Sequence, residues 1–138
     1  MTLEREAVKT NITLIDHQHE KYFDAVDKLM EQCRKKYPDM EIVAQILQQT
    51  HEYAVDNFDT EEYLMELEGY PDSEEHTEKH NQFKARLDAF TRQLQTEKLN
   101  IRDTSKHLQA LLIGWFNNQI KEDDMRMAAF LHTREKGR

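Results

Sequence analysis

The sequence is poor in everything that breaks a helix. Its 138 residues include only 3 glycines and 2 prolines, too few for the many tight turns of a β-sandwich or barrel. A single cysteine, Cys33, excludes an intramolecular disulfide and a thiolate metal cage. No uninterrupted apolar run approaches the roughly 18 residues of a membrane span, so no membrane partner is expected. The N-terminal stretch Met1–Glu6 carries no apolar core of a secretory signal, which sets the expectation of a cytoplasmic protein. A basic excess is missing too: the formal charge is −8, the wrong sign for a nucleic-acid partner. The three glycines are scattered, so there is no phosphate-binding loop, and no Ser or Cys nucleophile stands beside a base.

What is present is helical periodicity over one domain, residues 1–138. Lys36-Tyr37-Pro38-Asp39 and Gly69-Tyr70-Pro71-Asp72 are the breaks, because proline cannot continue a helix and glycine suits a helix C-terminus. Asp72 and Glu75 have capping-box spacing for the helix that follows. A weaker break near Thr96–Ile101 could be capped by Asn100. The expectation is an arm over about 1–15 and helices over about 16–37, 40–68, 73–96 and 101–133. Short connections between long helices make antiparallel neighbours, hence an all-α, up-down-up-down four-helix bundle.

Each helix has an inward stripe at steps of three and four. The first runs Ile12, Ile15, His19, Tyr22, Val26, Leu29, Cys33, and the second Val43, Leu47, Thr50, Ala54, Asn57, Glu61, Leu64. The third is His76, His80, Phe83, Leu87, Phe90, Leu94, and the fourth opens Leu108, Leu112, Trp115, Gln119. Removing the apolar members leaves His19, Asn57, Glu61, His76, His80 and Gln119. A core loses a few kcal/mol for each such group left without a partner. His76 and His80, at i and i+4, lie a turn apart on one face, a spacing that lets two imidazoles reach one ion. A purely polar buried network is the alternative.

Past Gln119 a regular stripe meets Arg126, a poor core residue. Inserting one residue gives Asp124, then Met127 or Ala128, then Leu131. Such a five-residue step lies about 140° off a regular helix face and implies a π-type bulge near Glu122. Asp124 therefore joins the candidate cluster, with Asp123 the residue that an unbroken helix would choose. Trp115 and Phe58 are expected to wall the cavity, and His17, His51, His107 and His132 to lie at the surface or rim.

Ile15-Asp16-His17-Gln18-His19, Asn57-Phe58-Asp59-Thr60-Glu61-Glu62, His76-Thr77-Glu78-Lys79-His80 and Trp115 through Asp124 together resemble the hemerythrin family in its bacterial single-domain branch. The resemblance runs from residue 12 to residue 131. It implies two iron ions that bind O2 reversibly between the helices, held by five histidines and two bridging carboxylates. On that pattern His76 and His80 bind one iron and His19 the other, with Glu61 and Asp124 bridging. The remaining two histidine positions are changed, to Asn57 and Gln119. An amide carbonyl is a weaker, neutral oxygen donor, so lower iron affinity and a shifted redox balance are expected. Three functions stay open: an O2 carrier, store or sensor that is not an enzyme; a site that activates O2 or peroxide; and a metal-poor structural or interaction bundle, in which a single ion would sit at His76, His80 and Glu61.

Overall fold

The computed structural model describes residues 9–96 and 100–136, with the side chains of residues 102 and 103 left aside. Helix α1 is Thr13–Arg34, α2 is Met40–Glu68 and α3 is Ser73–Thr96. The fourth helix, α4, is one continuous run in five segments: Ile101–Gln109, Ala110–Trp115, Phe116–Gln119, Ile120–Asp124 and Met125–Lys136. The helices form the expected antiparallel bundle, in which α1 packs on α2 and α4, and α2 on α3.

Local chemistry sets the helix ends. The first begins at Thr13, earlier than expected, because Asp16 folds back over the preceding chain. Its carboxylate accepts from the Thr10 N–H at 2.8 Å, the Thr10 hydroxyl at 2.7 Å and the Asn11 N–H at 3.0 Å. Asn11 takes the left-handed conformation, φ 62°, which asparagine tolerates better than most residues. This tie shortens the expected arm; residues 1–8 lie outside the described residues. The same helix stops at Arg34 because Lys35 is already extended, three residues ahead of the break expected from Pro38. Asp39 caps α2 by accepting from the N–H groups of Glu41 and Ile42. Gly69 closes that helix at φ 68°, where a side chain would be strained.

Two apolar clusters fill the bundle. The larger includes Leu29, Val43, Leu47, Leu87, Leu108 and Leu112. A smaller one, Ile15, Met65, Tyr70 and Met127, closes the opposite end. Between them the interior turns polar. No helix among the described residues is long and apolar enough to cross a membrane.

Two stretches of α4, Ala110–Trp115 and Ile120–Asp124, have wide π-type turns. The second is the bulge that Asp124 requires: it buries both Asp123 and Asp124. The first was not expected, and it moves Phe116 rather than Trp115 fully into the interior. At this first widening the Tyr22 hydroxyl donates to the Leu112 carbonyl at 2.6 Å. The Tyr22 ring stacks on Phe116 at 3.8 Å, so α1 braces the irregular part of α4.

Candidate metal centre

His19 comes from α1, Asn57 and Glu61 from α2, His76 and His80 from α3, and Gln119 and Asp124 from α4. All seven are buried, with Asn57, Glu61, His80 and Asp124 at 0% exposure. Glu61 and Asp124 stand at the centre, and each divides its two oxygens between two directions. Glu61 Oε1 is 3.0 Å from His76 Nε2 and 3.2 Å from His80 Nε2, while Oε2 is 3.5 Å from His19 Nε2. Asp124 Oδ1 is 3.0 Å from His76 Nε2, and Oδ2 is 3.2 Å from His19 Nε2. Three imidazoles thus aim the same ring nitrogen at two carboxylates. Glu61, His76, His80 and Asp124 each offer a ligand atom within 4.8 Å of one another's, a donor set able to surround a small cation.

Gln119 lies between the α3 histidines. Its amide nitrogen is 3.0 Å from His76 Nε2 and 3.1 Å from His80 Nε2, within hydrogen-bond distance of both rings. Turned half a revolution about its last torsion, the same amide would present Oε1 there instead. Asn57 reaches outward: its amide nitrogen donates to Gln18 Oε1 at 3.3 Å, and Gln18 donates to the Thr60 hydroxyl at 2.9 Å. The carbonyl oxygens of both amides, both Asp124 oxygens, Glu61 Oε2 and both His19 nitrogens are buried without a hydrogen-bond partner. Such a concentration of orphaned polar atoms is rare in a folded interior, and a cation would satisfy the oxygens and one His19 nitrogen among them.

Electrostatics bind the cluster together. Burial opposes charge on His19 and His76, yet the carboxylates of Asp124 and Glu61 beside them overcome it and push both up to about 10. His80 is raised in the same way, with Glu61 and Glu62 outweighing its burial. Burial would raise Glu61, but its three histidine partners hold it well below the usual carboxylate range. Asp124 is raised by burial and by the negative charge of Glu61 beside it.

The supporting groups were less legible. Glu62 was not foreseen: its Oε2 accepts from His80 Nδ1 at 2.9 Å, fixing that ring so that Nε2 faces the cavity. Nothing in a run of helical glutamates marks one as the partner of a ring on the next helix. Trp115, expected at the cavity wall, is half-buried and stacks on Phe83 at 4.8 Å. Phe58 does wall the cluster, stacked on His80 at 3.9 Å. Phe116 meets His19 edge-on at 6.0 Å, and Phe23 lies at 6.4 Å from the same ring. Asp123 is held outside by Lys79 at 2.9 Å. Of the other histidines, His17 and His107 are exposed, His51 pairs with Asp88 at 3.3 Å, and His132 meets the Thr10 carbonyl at 3.0 Å.

Known proteins share this arrangement of helices. Residues 10–131 match the family profile described as the hemerythrin HHE cation binding domain. The chain is 28% identical over 120 residues to a bacteriohemerythrin of Pseudomonas aeruginosa (strain LESB58), covering 87% of this chain and 74% of that one. It is 26% identical over 124 residues to a bacteriohemerythrin of Stenotrophomonas maltophilia (strain R551-3), covering 90% and 77%. In fold it is similar to a crystal structure of wild-type hemerythrin, with a TM-score of 0.80, 23% identity and coverage of 95% and 97%.

Proposed function

The chain belongs to the hemerythrin family, and from that premise we propose that residues 1–138 form one domain whose buried cluster holds two iron ions and binds O2 for carriage, storage or sensing. One observation supports this most: three imidazole nitrogens converge on two carboxylates that each divide their oxygens between His19 on one side and His76 on the other. His76 and His80 would serve one ion and His19 the other, with Glu61 and Asp124 shared. Gln119 and Asn57 would contribute amide oxygens at the two altered positions. Bound iron supplies redox states suited to reversible O2 binding.

The chain's own part is to hold, charge and dry the site. Glu61 and Asp124 bring negative charge that the neutral imidazoles of a metal-bound site would not supply. Glu62 orients His80, and the rings of Phe58, Phe116 and Phe23 exclude water from the nitrogens they cover. A fully buried enclosure, with room only for something small, favours holding a small neutral ligand, which supports a binding role. The second reading, activation of O2 or peroxide, is favoured by the count of three imidazoles, with oxygen donors filling the remaining positions. The buried free thiol of Cys33 fits a reducing, cytoplasmic setting.

The test is iron content per chain of protein made with ample iron, with visible spectra before air, in air and after O2 removal. The expected result is retained iron and an absorption that appears with air and reverses without it. His76→Ala should lower iron content, whereas His51→Ala and His107→Ala should not. Equal iron in all three variants would remove the metal assignment on α3, and an irreversible spectral change would favour activation over binding.

A further inference from the structure

The two directions served by the bridging carboxylates are not equivalent. Toward α3 they meet two imidazoles, His76 and His80; toward α1 they meet one, His19. The four residues whose ligand atoms lie within 4.8 Å of one another are Glu61, His76, His80 and Asp124, with His19 outside that group. Support behind the rings differs as well. His80 Nδ1 is fixed by Glu62 at 2.9 Å, while His19 Nδ1 is buried without a partner. Outer hydrogen bonds of this kind are worth about 10–100-fold in metal affinity. The amides on the two sides differ in position. Gln119 stands between His76 and His80 and can deliver an oxygen there by rotation. Asn57 bonds outward to Gln18 through its nitrogen and keeps a buried oxygen without a partner.

Resting on the reading of this cluster as a metal centre, we infer that it is an unequal pair: His76, His80, Glu61 and Asp124 hold one divalent ion tightly, and the His19 side fills more weakly and is the more open to an oxygen-seeking cation such as Mn2+. Two imidazoles with two carboxylates suit nitrogen-preferring ions such as Zn2+, Co2+ and Fe2+. A single imidazole among carboxylate and carbonyl oxygens narrows the disadvantage that Mn2+ otherwise has. The native centre is then one that can carry two different metals, or one metal alone.

The intact protein, stripped with a chelator, is titrated with Zn2+ by calorimetry. About one equivalent should bind tightly and a second at least about tenfold more weakly. With the first position filled by Zn2+, added Mn2+ should lose its free-ion electron paramagnetic resonance signal up to about one further equivalent. His19→Gln should leave the first affinity within about twofold and abolish the second, while His76→Ala should remove the first; circular dichroism checks that each variant is folded. Two equal equivalents, a first affinity that His19→Gln weakens as much as His76→Ala does, or rejection of Mn2+ would overturn the inequality. The wild-type titration decides this even if a variant fails to fold. No Zn2+ uptake at all, or uptake unaffected by His76→Ala, would instead overturn the metal-centre reading itself.

Discussion

The bundle buries its two regions by opposite means. Around Leu29, Val43, Leu47, Leu87 and Leu108 the interior is aliphatic, and any side chain of suitable volume and shape would satisfy it. A few turns away the same four helices bury two carboxylates, three imidazoles and two amides. There each group depends on the identity of its neighbour, because a buried polar group without its partner costs more than a misfitting methyl. The apolar region therefore carries the fold, and the polar belt carries the specification. Stability and metal affinity should come apart when the two are mutated separately.

The largest effect is expected in the apolar region. Leu87→Ala removes a fully buried side chain and should cost about 2–5 kcal/mol of unfolding free energy. Its metal affinity per folded chain should be unchanged, as measured by denaturation and by titration below the transition. Glu61→Gln is the mirror experiment. It takes away the charge that all three histidines share, and metal affinity should fall by about 100-fold or more, a larger loss than an outer partner causes. A Glu61→Gln protein that binds metal normally would mean the belt is only a polar network.

A smaller gain is expected from filling the altered positions. Asn57→His and Gln119→His together should be accommodated at a cost below about 1.5 kcal/mol if the new rings fit the existing space. The double variant should retain more iron than the parent through dialysis against a mild chelator, and show a stronger response to air. The single variants should fall between. No gain in a folded double variant would show that these seam positions are not ligand sites.

A further effect is a slope with pH. His19 and His76 rise from 6.5 to about 10 in the metal-free cluster. Groups raised on folding contribute stability that is fully present below about 6.5 and is lost as pH climbs toward 10. Metal-free protein should therefore unfold at lower denaturant concentration at pH 9.5 than at pH 6, and saturating Zn2+ should flatten that slope by replacing the protons. A flat metal-free profile would show that the histidines are not held charged by Glu61 and Asp124.

The sequence made the polar belt easier to read than its surroundings. Histidines and carboxylates are conspicuous on an apolar stripe, so His19, Glu61, His76 and His80 stood out. The bulge before Asp124 was legible because Arg126 fell where a core residue should be. The wide turn at Ala110–Trp115 left no such trace. Its residues, Ala-Leu-Leu-Ile-Gly-Trp, contain no charge to mark a face, so a shift of register there changes nothing visible, and periodicity points to Trp115 rather than Phe116. Glu62 was hidden for the reverse reason, as one carboxylate among many on an acidic chain.

The Gln119 amide has a consequence for the order of assembly. Many metal proteins cannot fold until the ion arrives, because their ligands have nothing else to hold. Here the amide occupies the space between His76 and His80, and it can face the rings with hydrogen-bond donors or with an oxygen. If the cluster is a metal centre, this amide gives the two rings a neighbour before an ion arrives, and one side-chain rotation would exchange its nitrogen for an oxygen. Loading would then be a late and reversible event, set by the supply of metal around a chain that is already folded.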